Sequence, residues 1–548
     1  MKRAITINTE DNVAVALTNL LAGENLQING INIRLVTPVE QKHKFALKDF
    51  IIGDEVTMYG VTVGHVKVSV SSGEAVTTSN LKHKSGFYDI NNRKNINWKA
   101  PDISRWKDRT FMGYHRKDGQ VGTANYWLVF PLVFCENRNV DVLKKSFETG
   151  LGLEKEDKYE HLVKQLVSSY ENNEDLEVHD IITLEGSEDK KQRVFENVDG
   201  IRFLTHQGGC GGTRQDSEVL CRLFAGYVNN PNVGGATVLS LGCQNAQVKD
   251  FQDMLQAINP NLDKPVIILD QQTVGTEKEM ITRAIKETFL GMVQLNKLNR
   301  QPAPVSNLTI GLECGGSDGF SGISANPAIG YTSDLITALG GKAILSEFPE
   351  LCGVEQELIN RAVSDEVAQK FASIMRAYEK AAAAVGSGFD MNPSPGNIRD
   401  GLITDAIKSA GAAKKGGTSP VQDVLDYTEY ATKPGLSLLC TPGGDVESTT
   451  GLAGSGSNII LFTTGLGTPT GNPITPVIKL SSNTKLAERM PDIIDIDTGS
   501  IIRGEQSIEE KGEEILDFII EVASGRKTSK AMDLDQNDFI PWKRGVSL

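Results

Sequence analysis

Short apolar runs recur along the chain from about residue 201, and stretches of helical character separate them. Such short runs are typical of strands buried on both faces. Strands that alternate with helices form mainly parallel sheets covered by helices. The predicted strands cover residues 201–205, 236–241, 266–269, 308–312, 343–345, 436–439, 459–462 and 477–480. This pattern predicts an α/β fold for the larger part of the chain, with one long helix over 354–384 and a final helix over 508–523.

The first ~80 residues differ, because alternating stretches such as 56–59 and 65–70 lie between turn signals such as Gly53-Asp54. This alternation predicts a small N-terminal all-β module. The domain limits we predict are a module over 1–82, a polar linker over 83–108, a first α/β domain over 109–300 and a second over 301–548. Residues 150–200 are acidic and are expected to form helices with long surface loops.

The charge balance limits the partners of the chain. Its 548 residues include 56 Lys and Arg against 70 Asp and Glu, a net charge of −14, which disfavours nucleic acid as a partner. An anionic substrate would therefore need a local positive or metal site. No apolar run approaches the ~18 residues of a membrane span, and the seven cysteines are scattered. These features predict a cytoplasmic protein with reduced thiols and no membrane partner.

Four cysteines directly follow predicted strands: Cys210, Cys243, Cys314 and Cys440. In open α/β sheets, ligands bind beyond the carboxyl ends of the strands. Thiolates on converging loops suit a transition metal such as iron, whereas free cysteines are otherwise small core residues. We expect Cys210, Cys243 and Cys314 to share a metal site.

Several other polar residues have both a functional and a structural interpretation. His206, beside a Gly-rich loop, is a base, a ligand or a structural residue, and His43, between two lysines, is catalytic or part of a solvated turn. Glu313 and Asp318 contact substrate hydroxyls or a metal, or they cap the next helix. The segment 448–451 after Asp445 could bind a carboxylate through backbone N–H groups.

Several longer segments together resemble the altronate dehydratase family, which includes galactarate dehydratases. The most specific segment is Gly-Leu-Glu-Cys-Gly-Gly-Ser-Asp-Gly at 311–319. The other segments are Asp11–Leu17, His43–Leu47, Ser321–Ile323, Asn392–Asn397, Lys433–Leu436 and Lys543–Leu548. The resemblance covers almost the whole chain.

The resemblance implies a fold and an activity. The fold is an N-terminal SAF-type (β-clip) module followed by a larger α/β region. The activity is a hydro-lyase reaction, D-altronate to 2-dehydro-3-deoxy-D-gluconate and water in galacturonate breakdown, activated by Fe2+ or another divalent metal. Galactarate or another aldonic or aldaric acid is the alternative substrate, and a non-catalytic sugar-acid binding protein is the alternative from another class. A homo-oligomer is also expected.

This chemistry needs a base for the C2 proton and an acid for the leaving hydroxyl, and His43 and His206 are the candidates. The candidate metal ligands are Cys210, Cys243 and Cys314, which could instead hold an iron–sulfur cluster. The candidate substrate-binding residues are Lys44, Glu313, Ser317, Asp318, Asn397, Asp445 and Thr449.

The chain departs from the family pattern at two places. Relatives carry His-x-His-Asn late in the β-module, where this chain has Thr77-Thr78-Ser79-Asn80. If those histidines bind metal or substrate in relatives, His65 or His83 would have to replace them here. Relatives also show Gly-x-Arg-Asn where this chain has Gly122-Thr123-Ala124-Asn125, and so lacks an arginine that could bind a carboxylate.

Overall fold

The N-terminal part of the chain is an all-β module. The protein was analysed as a computed structural model that describes residues 2–152, 158–173 and 193–545. The strands of the module are β1 (Ala4–Ile5), β2 (Val13–Ala16), β3 (Asn25–Ile28), β4 (Ile31–Arg34), β5 (Lys44–Ala46), β6 (Glu55–Met58), β7 (Val61–Val66), β8 (Ala75–Val76) and β9 (Leu81–Lys82). They form antiparallel sheets in the orders β1-β2-β5-β8, β3-β4 and β6-β7-β9. This confirms the predicted β-module.

The segment after the module lies along the C-terminal part of the chain. It contains a 3-10 helix at Ile90–Asn92, and the backbone N–H of Asp89 donates to Gln356 at 2.8 Å. The Arg93 guanidinium forms an ion pair with Asp365 at 2.7 Å. The segment therefore makes specific contacts with the C-terminal part.

The middle part contains a parallel sheet in the order β13-β12-β14-β15. Its elements are β10 (Thr110–His115), β11 (Val121–Gly122), β12 (Tyr126–Pro131), α1 (Asn137–Leu151), α2 (Lys158–Glu171), β13 (Gly200–Phe203), α3 (Arg214–Asn229), β14 (Val233–Ser240), α4 (Val248–Ile258), β15 (Val266–Asp270), α5 (Gln271–Val274) and α6 (Glu277–Leu295). Apolar residues of α3 and α4 pack in one core, and those of α1 and α6 pack in another. The parallel strands are thus covered by helices, as predicted.

The C-terminal part contains a larger sheet in the order β19-β20-β18-β17-β21-β22-β23, in which all pairs are parallel. Its elements are β16 (Gln301–Pro304), β17 (Thr309–Cys314), α7 (Ala325–Ala338), β18 (Lys342–Leu345), α8 (Glu355–Arg361), α9 (Asp365–Ala384), α10 (Pro395–Arg399), α11 (Asp405–Ala412), β19 (Val421–Leu425), β20 (Gly435–Leu439), α12 (Asp445–Gly454), β21 (Ile459–Thr464), β22 (Val477–Ser481), α13 (Thr484–Arg489), β23 (Ile496–Asp497), α14 (Gly499–Arg503), α15 (Ile508–Ala523) and α16 (Lys530–Asp533). β16 pairs antiparallel with β10.

The predicted strands from residue 201 onward and the final helix are confirmed, but the prediction of one long helix over 354–384 is wrong. α8 ends at Arg361, and α9 begins at Asp365. The chain leaves the helix because the N–H of Val363 donates to the carbonyl of Val421 at 3.1 Å. The Ser364 hydroxyl then caps α9 by accepting from the N–H of Val367.

Two earlier predictions remain predictions. Residues 153–157 and 174–192 of the acidic stretch lie outside the described residues, so the expected surface loops there are not addressed. The exact domain limits are also a prediction still.

The two α/β parts meet where α3 packs against α12. A Cβ added to Gly226 would lie 2.0 Å from the carbonyl oxygen of Gly454, so only glycine permits this close contact. The C-terminal segment bridges the same seam. The N–H of Ile540 donates to Thr450 at 3.1 Å, and the N–H of Arg544 donates to Asp216 at 3.1 Å. These contacts connect the loops at the carboxyl ends of the smaller sheet to those of the larger sheet.

Candidate active site

A buried group of charged residues lies at the carboxyl edge of the larger sheet. Glu313 and Cys314 end β17, and Glu347 and Glu350 follow β18, the neighbouring strand. The Cys314 thiol donates to Glu350 at 3.2 Å and contacts Glu347 at 3.4 Å. These side chains come together because adjacent parallel strands end at the same edge.

Two buried lysines balance this negative group. The Lys415 ammonium donates to Glu347 at 2.6 Å and to the Cys314 sulfur at 2.8 Å. The Lys408 ammonium forms an ion pair with Glu350 at 2.6 Å. Burial would lower the pKa of Lys415, but the surrounding Cys314 and carboxylates raise it well above its ordinary value. Both lysines are therefore cations, and Lys415 already supplies the positive charge that a metal would bring to this group.

Burial also shifts the carboxyl groups around the lysines. Burial and the nearby charge of Glu347 raise the pKa of Glu313 well above its usual range. Glu313 accepts from the Ser346 and Ser448 hydroxyls through one oxygen, and its other oxygen has no partner among the described residues. Burial, then Glu347 and Glu350, raise the pKa of Asp445 to about 7. The group thus contains carboxyl groups that are neutral or titrate near neutral pH.

A second site lies where the β-module meets the C-terminal part. The Lys42 ammonium contacts the buried Asp318 at 2.9 Å and Asp400 at 2.8 Å. Burial would lower the pKa of Lys42, but these carboxylates raise it. The adjoining cavity of about 430 Å³ is lined by the basic residues Lys42, His43, Arg399, Lys485 and Arg503 and by the acidic residues Glu40 and Asp400. Basic side chains thus outnumber acidic ones around this cavity.

His43 lines this cavity, and its ring has a defined tautomer. Nε2 lies 3.0 Å from the carbonyl oxygen of Arg399. A carbonyl can only accept, so in the neutral ring Nε2 carries the proton and Nδ1 is the nitrogen that can take one up. His43 thus lines the cavity with one ring nitrogen available for a proton, and its catalytic role stays a prediction.

Lys44 does not line the cavity but holds the module against the C-terminal part. Its ammonium donates to the carbonyl oxygens of Gly401 at 2.6 Å and Lys42 at 3.1 Å. Burial lowers the pKa of Lys44 to about 7, although Asp318 opposes the shift. The structure thus gives Lys44 a positioning role.

A third group joins the module to the same edge. Ligand atoms of His83, Cys352 and Asp405 lie within 4.8 Å of one another. Neither oxygen of Asp405 accepts a conventional hydrogen bond from the described residues, although the carboxylate is buried. Burial lowers the pKa of His83 and so favours its neutral, metal-binding form. Among the residues that the structure describes, two groups of side chains are spaced closely enough to hold a metal ion: this group and the group of Cys314, Glu347 and Glu350.

The three cysteines predicted to share one metal site are divided between two sheets. Cys314 lies with Glu347 and Glu350 at the larger sheet. Cys210 and Cys243 lie on loops that follow β13 and β14 of the smaller sheet. The prediction failed to separate them because the pattern of strand ends does not show to which sheet a strand belongs.

His206 is a structural residue. Its Nε2 donates to the carbonyl of Pro131 at 2.8 Å, and its Nδ1 accepts from the N–H of Gly208 at 3.0 Å. Burial lowers the pKa of His206 to about 4, so the ring is neutral. Both nitrogens are occupied by backbone groups, and the structure does not support the predicted catalytic role.

The other predicted substrate-binding residues hold backbone in place. Asp318 accepts from the N–H groups of Phe320 and Ser321. The Asn397 amide donates to the carbonyl of Ser317 at 2.8 Å. The Thr449 hydroxyl donates to the carbonyl of Asp445 within α12, at 2.9 Å. Their side chains position the loops around the site, and direct substrate contact stays a prediction.

Several site residues were missed by the sequence analysis. Glu347 and Glu350 follow the predicted strand at 343–345, so the rule applied to the other strand ends could have found them. Lys42 is adjacent to His43 and could have been included with it. Lys408, Lys415 and Asp405 carry no local signal, because they come from α11 and the 3-10 helix after it.

Three family models match consecutive parts of the chain. Residues 2–84 match the altronate/galactarate dehydratase SAF domain, 113–296 the second domain of D-galactarate dehydratase/altronate hydrolase, and 305–547 the C-terminal domain of D-galactarate/altronate dehydratase. Together with the buried acid–base groups, this domain order defines a hydro-lyase of sugar acids.

Relatives of full length agree. The chain is 33% identical to the altronate dehydratase of Bacillus subtilis (strain 168), with 100% of both chains covered. It is 31% identical to the altronate dehydratase of Escherichia coli (strain K12), with 99% of each covered. It is also 31% identical to the galactarate dehydratase (L-threo-forming) of that organism, over 95% of this chain and 93% of the relative. The chain belongs to the altronate/galactarate dehydratase family.

Proposed function

We propose that this protein converts D-altronate to 2-dehydro-3-deoxy-D-gluconate and water in the breakdown of hexuronates such as galacturonate. The observation that carries the proposal is the cavity between the β-module and the C-terminal part, which is lined by Lys42, His43 and three further basic side chains. The chain as a whole is acidic, so an excess of basic over acidic side chains around one cavity supports a site for a carboxylate. The two full-length altronate dehydratases at 31% and 33% identity support altronate as the substrate.

The reaction removes the C2 proton and expels the C3 hydroxyl as water, and the resulting enol becomes the 2-keto acid. In our proposal, Nδ1 of His43 takes up the C2 proton, because Nε2 is held by the Arg399 carbonyl. The same ring then gives this proton to the C3 hydroxyl, which leaves as water, so that the proton count balances. The cations of Lys42 and Arg399 stabilise the charge that develops on the substrate carboxylate. Lys44 and Asp318 fix the backbone and ammonium of Lys42 for this task.

We propose Fe2+ as the activating metal, held by His83, Cys352 and Asp405. The buried Asp405 carboxyl group interacts with the Cys352 thiol, and mixed nitrogen, sulfur and oxygen donors suit iron or zinc better than magnesium. His83 then takes the place of the histidines that are missing at 77–79. A divalent ion supplies Lewis-acid stabilisation of an oxyanion.

The proposal also includes the cellular compartment and the oligomeric state of the protein. All seven cysteines are free thiols, which supports a cytoplasmic enzyme. Among the described residues, no helix is both long and apolar enough to cross a bilayer. A homo-oligomer stays a prediction.

The test is turnover of a panel of sugar acids by the anaerobically purified, iron(II)-loaded enzyme, with 2-keto acid formation as the readout. We expect turnover of D-altronate in preference to galactarate and other hexonates. Turnover of galactarate in preference to D-altronate would move the assignment to the second candidate, which the 31% identity to a galactarate dehydratase favours. Binding without turnover of any acid would overturn the enzyme proposal in favour of a sugar-acid binding protein.

A further inference from the structure

Three cysteines converge at the carboxyl edge of the smaller parallel sheet, away from the site described above. Cys135 lies in a 3-10 helix after β12, Cys210 follows β13, and Cys243 follows β14. These strands are immediate neighbours, since β12 pairs in parallel with both β13 and β14. Cys135 and Cys243 are exposed, and Cys210 is partly exposed.

Backbone hydrogen bonds tie the three loops together beside each cysteine. The N–H of Phe134 donates to the carbonyl of Gly208 at 3.1 Å, which joins the Cys135 loop to the Cys210 loop. The N–H of Asn245 donates to the carbonyl of Gly209 at 2.9 Å, and its side-chain amide donates to the carbonyl of Cys210 at 3.2 Å. The Cys210 loop is thus held between the other two.

Gly209 is the residue that permits this contact. Its φ is +90°, and a Cβ there would lie 2.0 Å from the carbonyl oxygen of Leu132, three residues before Cys135. Gly209 thus brings the Cys210 loop against the loop that carries Cys135, while the hydrogen bond from Asn245 holds the Cys243 loop on the Cys210 loop.

The spacing of the sulfur atoms is wider than a single tetrahedral ion requires. Thiolates bound to one tetrahedral zinc at ~2.3 Å lie only ~3.8 Å apart. Cys135, Cys210 and Cys243 do not form a group whose ligand atoms all lie within 4.8 Å of one another. Wider spacing is expected when each thiolate binds a different iron of one cluster. Thiolate donors at converging loops are also the ligands of iron–sulfur clusters.

We propose that Cys135, Cys210 and Cys243 hold a cubane iron–sulfur cluster, with one iron left without a protein thiolate. The exposure of Cys135 and Cys243 leaves that iron open to a small oxygen ligand. In our proposal Cys135 takes the place that the strand-end pattern assigned to Cys314, which ends β17 of the larger sheet. The proposal does not depend on the substrate or on the iron site at Asp405, because it concerns a different edge of the molecule.

The test is anaerobic reconstitution of the full-length protein with iron(II) and sulfide, followed by absorption and electron paramagnetic resonance spectra and by iron and sulfide analysis. We expect about four sulfide ions per chain and about four iron ions that accompany them. Iron bound elsewhere in the chain without sulfide is counted separately. Cys135→Ser, Cys210→Ser and Cys243→Ser should each lose most of the sulfide and the visible absorption. The matched control is Cys221→Ala, a buried thiol on α3 outside the set, which should keep both.

Circular dichroism of the variants without cluster checks that they fold. Alkylation of cysteine thiols tests the proposal on the unmutated protein. In the reconstituted protein, Cys135, Cys210 and Cys243 should be protected from alkylation and should react after chelator treatment. Absence of bound sulfide after reconstitution, or full sulfide content in the three serine variants, would overturn the proposal. Alkylation of the three thiols at equal rates before and after chelation would overturn it as well.

Discussion

The Lys42 ammonium lies 2.9 Å from the carboxylate of Asp318, and this contact joins the β-module to the larger sheet. The Asp318 side chain is fully buried, and it also accepts from the Ser482 hydroxyl at 2.8 Å. One carboxylate therefore organises the loop after β17 and orients a cation on the cavity wall. The module is thus part of the site, and its position depends on a few buried polar contacts.

Asp318→Asn should destabilise the protein by about 3–5 kcal/mol, because it leaves Lys42 without its buried partner. Asp400→Asn is the matched control, since Asp400 contacts the same ammonium but is 31% exposed; its loss should cost about 0–1 kcal/mol. The measurement is the free energy of unfolding in urea. Equal effects of the two substitutions would contradict the special role of Asp318.

Lys415→Met should cost about 3–5 kcal/mol, because it removes the cation that balances Glu347. The adjacent Lys414 provides the control. It lies 3.7 Å from Glu357, and about a third of each of these two side chains is exposed. Such an exposed ion pair contributes about 0–1 kcal/mol. Urea unfolding of Lys415→Met and Lys414→Met measures the difference. A stable Lys415→Met variant would show that the carboxyl groups of the cluster become protonated at little cost.

Lys44 should make stability rise with pH above neutrality. Its pKa in the folded state is about 7, whereas a lysine in the unfolded chain titrates near ~10.4. Between these values the unfolded chain binds the extra proton, so the free energy of unfolding increases with pH. Below pH about 7 both states are protonated and the penalty is constant.

Comparison of Lys44→Met with Lys48→Met, an exposed lysine of the same module, isolates this effect. Urea unfolding at pH about 7 and about 9.5 should show a smaller rise for Lys44→Met than for the unmutated protein. Lys48→Met should behave as the unmutated protein. An identical rise in both variants would mean that Lys44 is charged when folded.

His43→Gln should lower kcat by about 10²–10⁴-fold, the usual effect of losing a general base, while the fold is retained. His115 is the control, because its Nε2 contacts the carbonyl of Pro302 at 3.1 Å in the same way but away from the cavity. Steady-state kinetics with D-altronate on both variants provides the measurement. An unchanged kcat for His43→Gln would exclude His43 as the base.

Chelation should lower the melting temperature of the apo-protein loaded with iron(II) in the absence of sulfide, so that no cluster forms, since an ion present at 100 times its Kd adds about 2.7 kcal/mol of stability. In Asp405→Asn the chelator should have little effect, because the buried carboxylate that binds the ion is gone. Asp390→Asn, a nearby exposed carboxylate, should respond to the chelator as the unmutated protein does. The same response in Asp405→Asn would place the stabilising ion elsewhere.

Local sequence pattern determined much of this fold. The short apolar runs predicted eight of the parallel strands between β13 and β22 but not β19, and the alternation before residue 82 predicted the β-module. The strand-end rule also located Glu313, Asp318 and the cysteines near carboxyl edges. These features are readable because burial of a strand depends on residues next to one another in the chain.

Only the tertiary structure decided which strand ends meet. Cys314 belongs to the larger sheet and Cys210 to the smaller one, and Cys135 joins Cys210 because β12 lies between β13 and β14. Lys42 meets Asp318 across more than two hundred residues, and His206 is occupied by the backbone of another strand. Strand order and domain docking arise from long-range packing, for which a single sequence contains no local signal.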